Sequence, residues 1–293
     1  MKPCTTILAG LLVWASLATV AMPQSRDGKA SAAEPQPTPL DILIVAPHSD
    51  DEAIGCTAVI LRAIKAGKRV EVVVVTNGDG FPKAAAAITR KPQDQLVPED
   101  FIKLTGIRQQ HTLTAMKQLG LKTEDLVFLG YPDAGLGQVY AAEGSAPFRQ
   151  KFTQKNETYG VVVPDYHTQV HGRPAPYTRA AVVGDMTEII RARQPKEIYV
   201  TNEVDSHGEH RVSFWVVRDA VQNAGWRGTI FTYLVHGHTL PKGPERRLRL
   251  TAEEFEKKKA VIEEYARHMS PIHDKLAEKF TKPEEVFWPI RIE

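Results

Sequence analysis

Four ionisable side chains fall within five residues at 48–52: His48, Asp50, Asp51 and Glu52, in the run Pro-His-Ser-Asp-Asp-Glu. A second cluster, Asp205-Ser-His-Gly-Glu-His, supplies His207 and His210. Such charges are costly to bury unless a cation or hydrogen-bonding partners compensate them. Imidazole and carboxylate together suit Zn²⁺, and a catalytic zinc takes three protein ligands and leaves one position open. Neighbouring loop residues point different ways, so Asp50 and Asp51 are not both expected to ligate. One can bind metal while the other accepts a proton from water. His207 and His210 stand three residues apart where the chain re-enters a helix, so they face one side. One can ligate while the other acts on a substrate, and Asp205 can fix the ring of one of them. The bland alternative is an acidic loop capping a helix, with two surface histidines elsewhere.

The elements that must position these residues follow from the pattern around them. Residues 41–46 are an apolar, β-branched run cut off by Pro47, the signature of a strand buried on both faces of a parallel sheet. Residues 52–66 read as a helix stopping at Gly67, and 69–76 as a second strand ending in Asn77-Gly78-Asp79-Gly80. That is a βαβ unit with a right-handed crossover. Further helices are expected over 99–119, 177–192, 211–224 and 251–269, the last opened by the capping box Thr251-Ala-Glu-Glu254. Further strands are expected over 125–130, 197–201 and 229–234. The alternation predicts an α/β fold: a single Rossmann-like three-layer domain with a mostly parallel sheet. Ligands of such sheets bind outside the carboxyl ends of the strands, where both clusters fall, so a metal site is expected there.

Other stretches are less regular. Residues 81–97 are expected to lie over the site as an irregular flap. An insertion at about 138–177 is expected to shape the substrate site, with His167 and His171 as hydrogen-bonding groups rather than metal ligands. His236 and His238 sit where they can line a pocket rim, and 271–293 form a covering segment.

Charge is nearly balanced, 37 Lys and Arg against 35 Asp and Glu, with no basic run, which argues against a nucleic-acid partner. Residues 1–21 carry a basic Lys2, an apolar stretch over 5–20 and small residues at Thr19-Val20-Ala21. They read as a secretory signal peptide, with a retained anchor as the alternative. Residues 22–39, rich in Ala, Pro, Gln and Ser, read as a disordered linker, leaving 40–293 as the folded domain. Export to the periplasm or medium is expected, without stable membrane insertion once the signal is cleaved. Beyond that segment Cys56 is the one cysteine, so no intramolecular disulfide is expected, and it packs as a small apolar residue. No G-x-G-x-x-G follows the first strand and no G-x-S-x-G elbow appears, which argues against a dinucleotide binder and a serine nucleophile.

The run Pro-His-Ser-Asp-Asp-Glu-Ala-Ile-Gly resembles the (A/P)H-x-D-D-E signature of the PIG-L/LmbE family of zinc-dependent de-N-acetylases. His207-Gly-Glu-His210 resembles that family's later H-x-x-H motif, which there usually reads H-P-D-H. The resemblance covers roughly residues 41–265. It implies one Zn²⁺, or another divalent ion, held by His48, Asp51 and His210, with Asp50 as general base. It also implies that His207, protonated, stabilises the oxyanion. The reaction implied is removal of an N-acetyl or short N-acyl group from an amino-sugar-type small molecule or glycan, by attack of metal-bound water on the amide carbonyl. Arg108 stands where the family has R-x-x-E, although the acid is His111 here. Asp133 matches an aspartate that tends to contact sugar hydroxyls. Lys258 and Tyr265 loosely match residues of the family's last helix. Asn77 or Asp79 is expected to order the metal site or contact substrate. The sugar rests on resemblance alone, so an amidase on a non-sugar N-acyl metabolite and a non-catalytic, metal-stabilised glycan-binding protein stand as alternatives.

Overall fold

Apolar residues on successive positions of the first strand face opposite ways, and both faces are covered. In β1 (Ile42–Ala46), Leu43 and Val45 pack into one core while Ile42 and Ile44 pack into another. The computed structural model describes Met1 and residues 39–293, apart from 143, 145, 238 and 270–273. The expected signal and linker, and His238, lie outside the described residues.

The other strands are β2 (Val70–Thr76), β3 (Leu126–Tyr131), β4 (Glu197–Thr201), β5 (Gly228–Tyr233), β6 (Arg246–Arg249) and β7 (Glu284–Ile292). The helices are α1 (Asp51–Lys65), α2 (Pro82–Thr89), α3 (Pro98–Gln118), α4 (Leu136–Ala141), α5 (Tyr166–His171), α6 (Arg179–Arg193), α7 (Gly208–Ala224), α8 (Ala252–Ala266) and α9 (Leu276–Phe280). The sheet runs β3-β2-β1-β4-β5-β7-β6, and pairing is parallel from β3 through β5. Helices α1, α3 and α8 lie against one face, and α4, α6 and α7 against the other. This is the expected Rossmann-like, three-layer α/β domain. No helix among the described residues is long and apolar enough to cross a membrane.

Two stretches differ from expectation. Residues 81–97 are not simply irregular: Pro82-Lys-Ala-Ala-Ala-Ala-Ile-Thr forms α2, because Pro at the first turn and an alanine run both favour helix. The covering segment supplies β7, which pairs antiparallel with β5 on one side and β6 on the other.

Helix α1 is broken at Cys56, whose backbone leaves helical values (φ −134, ψ 15). The second half begins with its N–H groups on a carboxylate from β7: Ala58 N donates to Glu285 Oε1 at 2.9 Å and Val59 N to Oε2 at 3.4 Å. Glu285 is compensated by Lys258 of α8, Nζ to Oε1 at 2.7 Å, with both side chains 1% exposed. A cap delivered from another element thus sets the angle of the first turn of α1, which carries Asp51 and Glu52.

Candidate metal centre

The chain leaves β1, winds outward through β2 and β3, and returns to the other side of β1 as β4. The crevice where strand order reverses therefore lies between the ends of β1 and β4, which pair from Ile42↔Glu197 to Val45↔Val200. His48–Asp51 follows β1 and His207–His210 follows β4, so the two clusters meet there across 162 residues.

Three donor atoms form a near-equilateral triangle. His48 Nδ1 lies 3.2 Å from Asp51 Oδ2, His210 Nε2 lies 3.2 Å from the same oxygen, and the two ring nitrogens are 3.3 Å apart. Ligands about 2.0–2.1 Å from a tetrahedral zinc are about 3.3–3.4 Å from one another. The triangle matches that edge, and its side chains are almost wholly buried (His48 8%, Asp51 1%, His210 0% exposed). These residues fit a divalent ion.

The far side of each imidazole is held. His48 Nε2 lies 2.8 Å from Glu209 Oε2 and 3.6 Å from Asp133 Oδ1, so its inward nitrogen is Nδ1. Glu209 Oε1 is anchored by the N–H groups of Gly135 and Leu136 at 3.2 and 3.1 Å. His210 Nδ1 lies 3.3 Å from Asp205 Oδ2, and Asp205 also accepts from the N–H groups of His207, Val235 and His236. Asp205, expected to fix a histidine ring, faces His210 in this way, though His210 Nδ1 makes no hydrogen bond in the structure. Glu209 was missed as a site residue; its one sequence signal was that it occupies the acidic position of H-G-E-H.

Asp50 precedes α1 with φ 126, a conformation costly for a residue with a side chain. The turn aims it into the cleft beside Arg108, whose Nη2 is 3.8 Å from Asp50 Oδ2 and donates to Ser49 O at 2.8 Å. Arg108 rests on Gly78 (φ +61), where a Cβ would lie 2.4 Å from its Nε, so only glycine leaves room. His207 meets His48 edge-on, ring centroids 4.9 Å apart, and its Nδ1 is buried without a hydrogen-bond partner.

Crowded carboxyls set the electrostatics. Burial and the charge of Asp51 push Asp50 up to about 7. Burial and Asp133 push Glu209 up to about 7, against its bond to His48. Burial also acts upward on Asp51, but His210 and His48 outweigh it and hold Asp51 well below the usual carboxylate range. His210 is depressed by burial, yet Asp51 and Asp205 carry it up to about 9. A divalent cation in the triangle would relieve this excess of negative charge. His207 was expected to be protonated; burial, then the charges of His48 and His210, act against that and lower it to about 4.

A cleft of about 910 Å³ opens beside the triangle, lined by His48, Asp50, Asp51, Arg108, Asp133, His207 and Glu209, and by Tyr140, Trp215 and Phe280. A larger open groove of about 1500 Å³ runs over α6 and α7 and contains none of these chemical groups. Asn77, expected with Asp79 to order the metal site or contact substrate, is not among the residues lining the cleft. Its amide donates to Gly130 O at 3.3 Å and Tyr159 O at 3.0 Å, so it ties strand ends together. Asp133 does line the cleft, but its carboxylate is turned to His48 and to the Gly80 N–H at 3.1 Å. His236 lines it as well. Of residues 138–177, Gln138, Tyr140 and Ala141 on α4 line it, and no other described residue of the insertion does. His167 and His171 pair with Asp185 and Glu188 at 2.7 and 2.9 Å, as hydrogen-bonding groups.

A family model described as PIG-L, GlcNAc-PI de-N-acetylase, matches residues 43–221. The chain belongs to the PIG-L family. No curated protein matches it. Among solved structures it is similar to a deacetylase triple mutant of the teicoplanin biosynthetic pathway, with 15% identity, TM-score 0.56, and 86% of this chain and 99% of that one covered. It is similar also to the N,N'-diacetylchitobiose deacetylase from Pyrococcus horikoshii in complex with its inhibitor MPG, with 18% identity, TM-score 0.55, and 86% and 84% covered. The 4-carboxy-2-hydroxymuconate hydratase GalB from Pseudomonas putida KT2440 shares the fold too, with 14% identity, TM-score 0.53, and 83% of each chain covered. Identities this low establish the fold, and the hydratase shows that the fold does not select the chemistry.

Proposed function

We propose that this PIG-L family member is an exported, zinc-dependent hydrolase that removes an N-acetyl or short N-acyl group from an amino-sugar-type substrate. The observation that carries this reading is the 3.2–3.3 Å triangle of His48, Asp51 and His210, with Asp50 and His207 opening into the same cleft. Family membership and the deacetylase neighbours support it.

A divalent ion on His48, Asp51 and His210 would supply Lewis acidity toward an amide carbonyl and acidify water. Asp50, beside that triangle, takes the proton of the attacking water as general base and passes it to the leaving nitrogen. Arg108 keeps Asp50 turned into the cleft. His207 donates a ring N–H to the carbonyl oxygen as negative charge develops there. The wall of Tyr140, Trp215 and Phe280 offers an apolar surface to the rest of the substrate. The products are a free amine and acetate, or another short acid.

The test is acetate release from N-acetylglucosamine, chitobiose and a peptidoglycan fragment, with protein stripped of metal and then reloaded with Zn²⁺. Zinc-dependent release supports the proposal. No release from any substrate by protein holding one equivalent of zinc overturns the sugar assignment. Asp50→Asn should lower kcat by about 10²–10⁴ while zinc content is unchanged; a full loss of zinc would instead make Asp50 a ligand.

A further inference from the structure

The insertion reaches Asp133 by two routes, directly through Gln150 and indirectly through Tyr159 and Asp79. Tyr159 Oη donates to Asp79 Oδ2 at 2.8 Å. The other oxygen of Asp79 accepts the backbone N–H of Asp133 at 2.9 Å. On the far side of the same residue, Gln150 Nε2 donates to Asp133 O at 3.1 Å. Asp133 then presents Oδ1 at 3.6 Å from His48 Nε2. A continuous chain of contacts thus runs from the insertion to a histidine of the triangle.

The insertion is itself pinned to the fold. Gln109 Oε1 on α3 takes the N–H groups of Val161, Val162 and Val163 at 3.1, 2.8 and 3.3 Å. Thr105 Oγ1, also on α3, lies 2.9 Å from Tyr159 Oη. The backbone of Tyr159 presses on the end of β3 at Gly130 (φ +78), where a Cβ would come within 2.6 Å of Tyr159 O. Gly130 admits that approach, and Tyr159 can therefore reach under the strand ends to Asp79. Asp79 is fully buried, and each of its oxygens has one donor. Removing the Tyr159 hydroxyl leaves one buried oxygen unpaired, and rotation of the carboxylate to recover a donor disturbs its bond to Asp133.

We propose that Tyr159 is a positioning residue: through Asp79 it fixes Asp133, and through Asp133 the orientation of His48. The insertion is a brace for the metal centre. This rests on the proposed function for its catalytic consequence but not for its structural one. Groups orienting a metal ligand typically cost tenfold or more when lost, and Tyr159 acts at one remove, so an effect of about threefold to tenfold is expected.

The experiment compares Tyr159→Phe with Tyr177→Phe. Tyr177 is a buried tyrosine of the same insertion whose hydroxyl donates to Gly130 O at 3.4 Å, outside the chain to Asp133. Measured are the melting temperature, zinc affinity by chelator competition, amide exchange at Asp133 and Ala134 in metal-free protein, and kcat and KM for acetate release. Tyr159→Phe should weaken zinc binding about threefold to tenfold, speed exchange at both amides, and lower kcat with KM within about twofold. Tyr177→Phe should leave zinc affinity and kcat within about twofold whatever it does to melting. Unchanged zinc affinity and exchange in Tyr159→Phe overturns the proposal, as do equal losses in the two variants. If the wild-type protein releases no acetate, zinc affinity and exchange still decide the brace, so its failure is distinct from that of the catalytic reading.

Discussion

Glu209→Gln should cost this protein about tenfold to a hundredfold in zinc affinity while leaving the metal-free fold intact. The wild-type carboxylate accepts on both oxygens: from His48 Nε2 at 2.8 Å, and from the Gly135 and Leu136 N–H groups at 3.2 and 3.1 Å. Glutamine keeps one acceptor and gains an NH₂ donor. If its oxygen stays on the two backbone amides, the NH₂ faces His48 Nε2, which must then be the unprotonated nitrogen. The proton moves to Nδ1, the atom of the metal-binding triangle, and blocks it. If the amide flips instead, two backbone donors lose their acceptor at about 1 kcal/mol or more each. Either route costs metal binding about 1.4–2.7 kcal/mol, at about 1.4 kcal/mol per tenfold. Without metal the change is nearly neutral, because burial and Asp133 already push Glu209 up to about 7. The assay is chelator competition for zinc beside urea denaturation of the metal-free protein. Zinc affinity within twofold of wild type, in a folded variant, would refute the tautomer argument and with it the assignment of His48 Nδ1.

The buried Lys258–Glu285 pair predicts a stability effect far from the chemistry. Lys258→Met strands a carboxylate that is 3% exposed and should cost about 3–5 kcal/mol in urea denaturation; a cost below about 1 kcal/mol would show the charge to be compensated elsewhere. Arg62 and Glu254 predict a pH dependence. The hydrogen bonds from Arg62 hold Glu254 down at about 2, so the pair's stabilisation is full above the ordinary glutamate value and is lost as pH falls toward 2. The pair is partly exposed, so Arg62→Ala should cost about 1 kcal/mol at pH 7, and the gap to wild type should close on acidification. A gap that is constant from pH 7 to 2 would remove the ion pair as its cause.

Much of the fold was readable locally. The runs that became β1, β2, β3, β4 and β5 are apolar and stop at turn residues, because strands covered on both faces must be apolar throughout. The segment forming β7 is mixed in character, since it lies near the sheet edge, and its pairing with β5 depends on contacts more than fifty residues away. Helix α2 hid in a short alanine run between Phe81 and Arg90. At the site, residue type and spacing marked the two clusters, and the resemblance singled out His48, Asp51 and His210 among them, whereas the direction of Asn77 at its strand end could not be read locally. The direction of its amide depends on Gly130 O and Tyr159 O, neither near it in sequence. The titration of His207 is likewise not a local property: burial and the charges of His48 and His210 lower it to about 4.

The sequence by itself determined the ligand chemistry and the order of elements, because side-chain type and hydrophobic period are local properties. Only the tertiary structure decided which nitrogen of His48 points inward, that Glu209 holds the other, and that the insertion braces the site from behind. Those are distances between groups tens to hundreds of residues apart, and packing alone sets them.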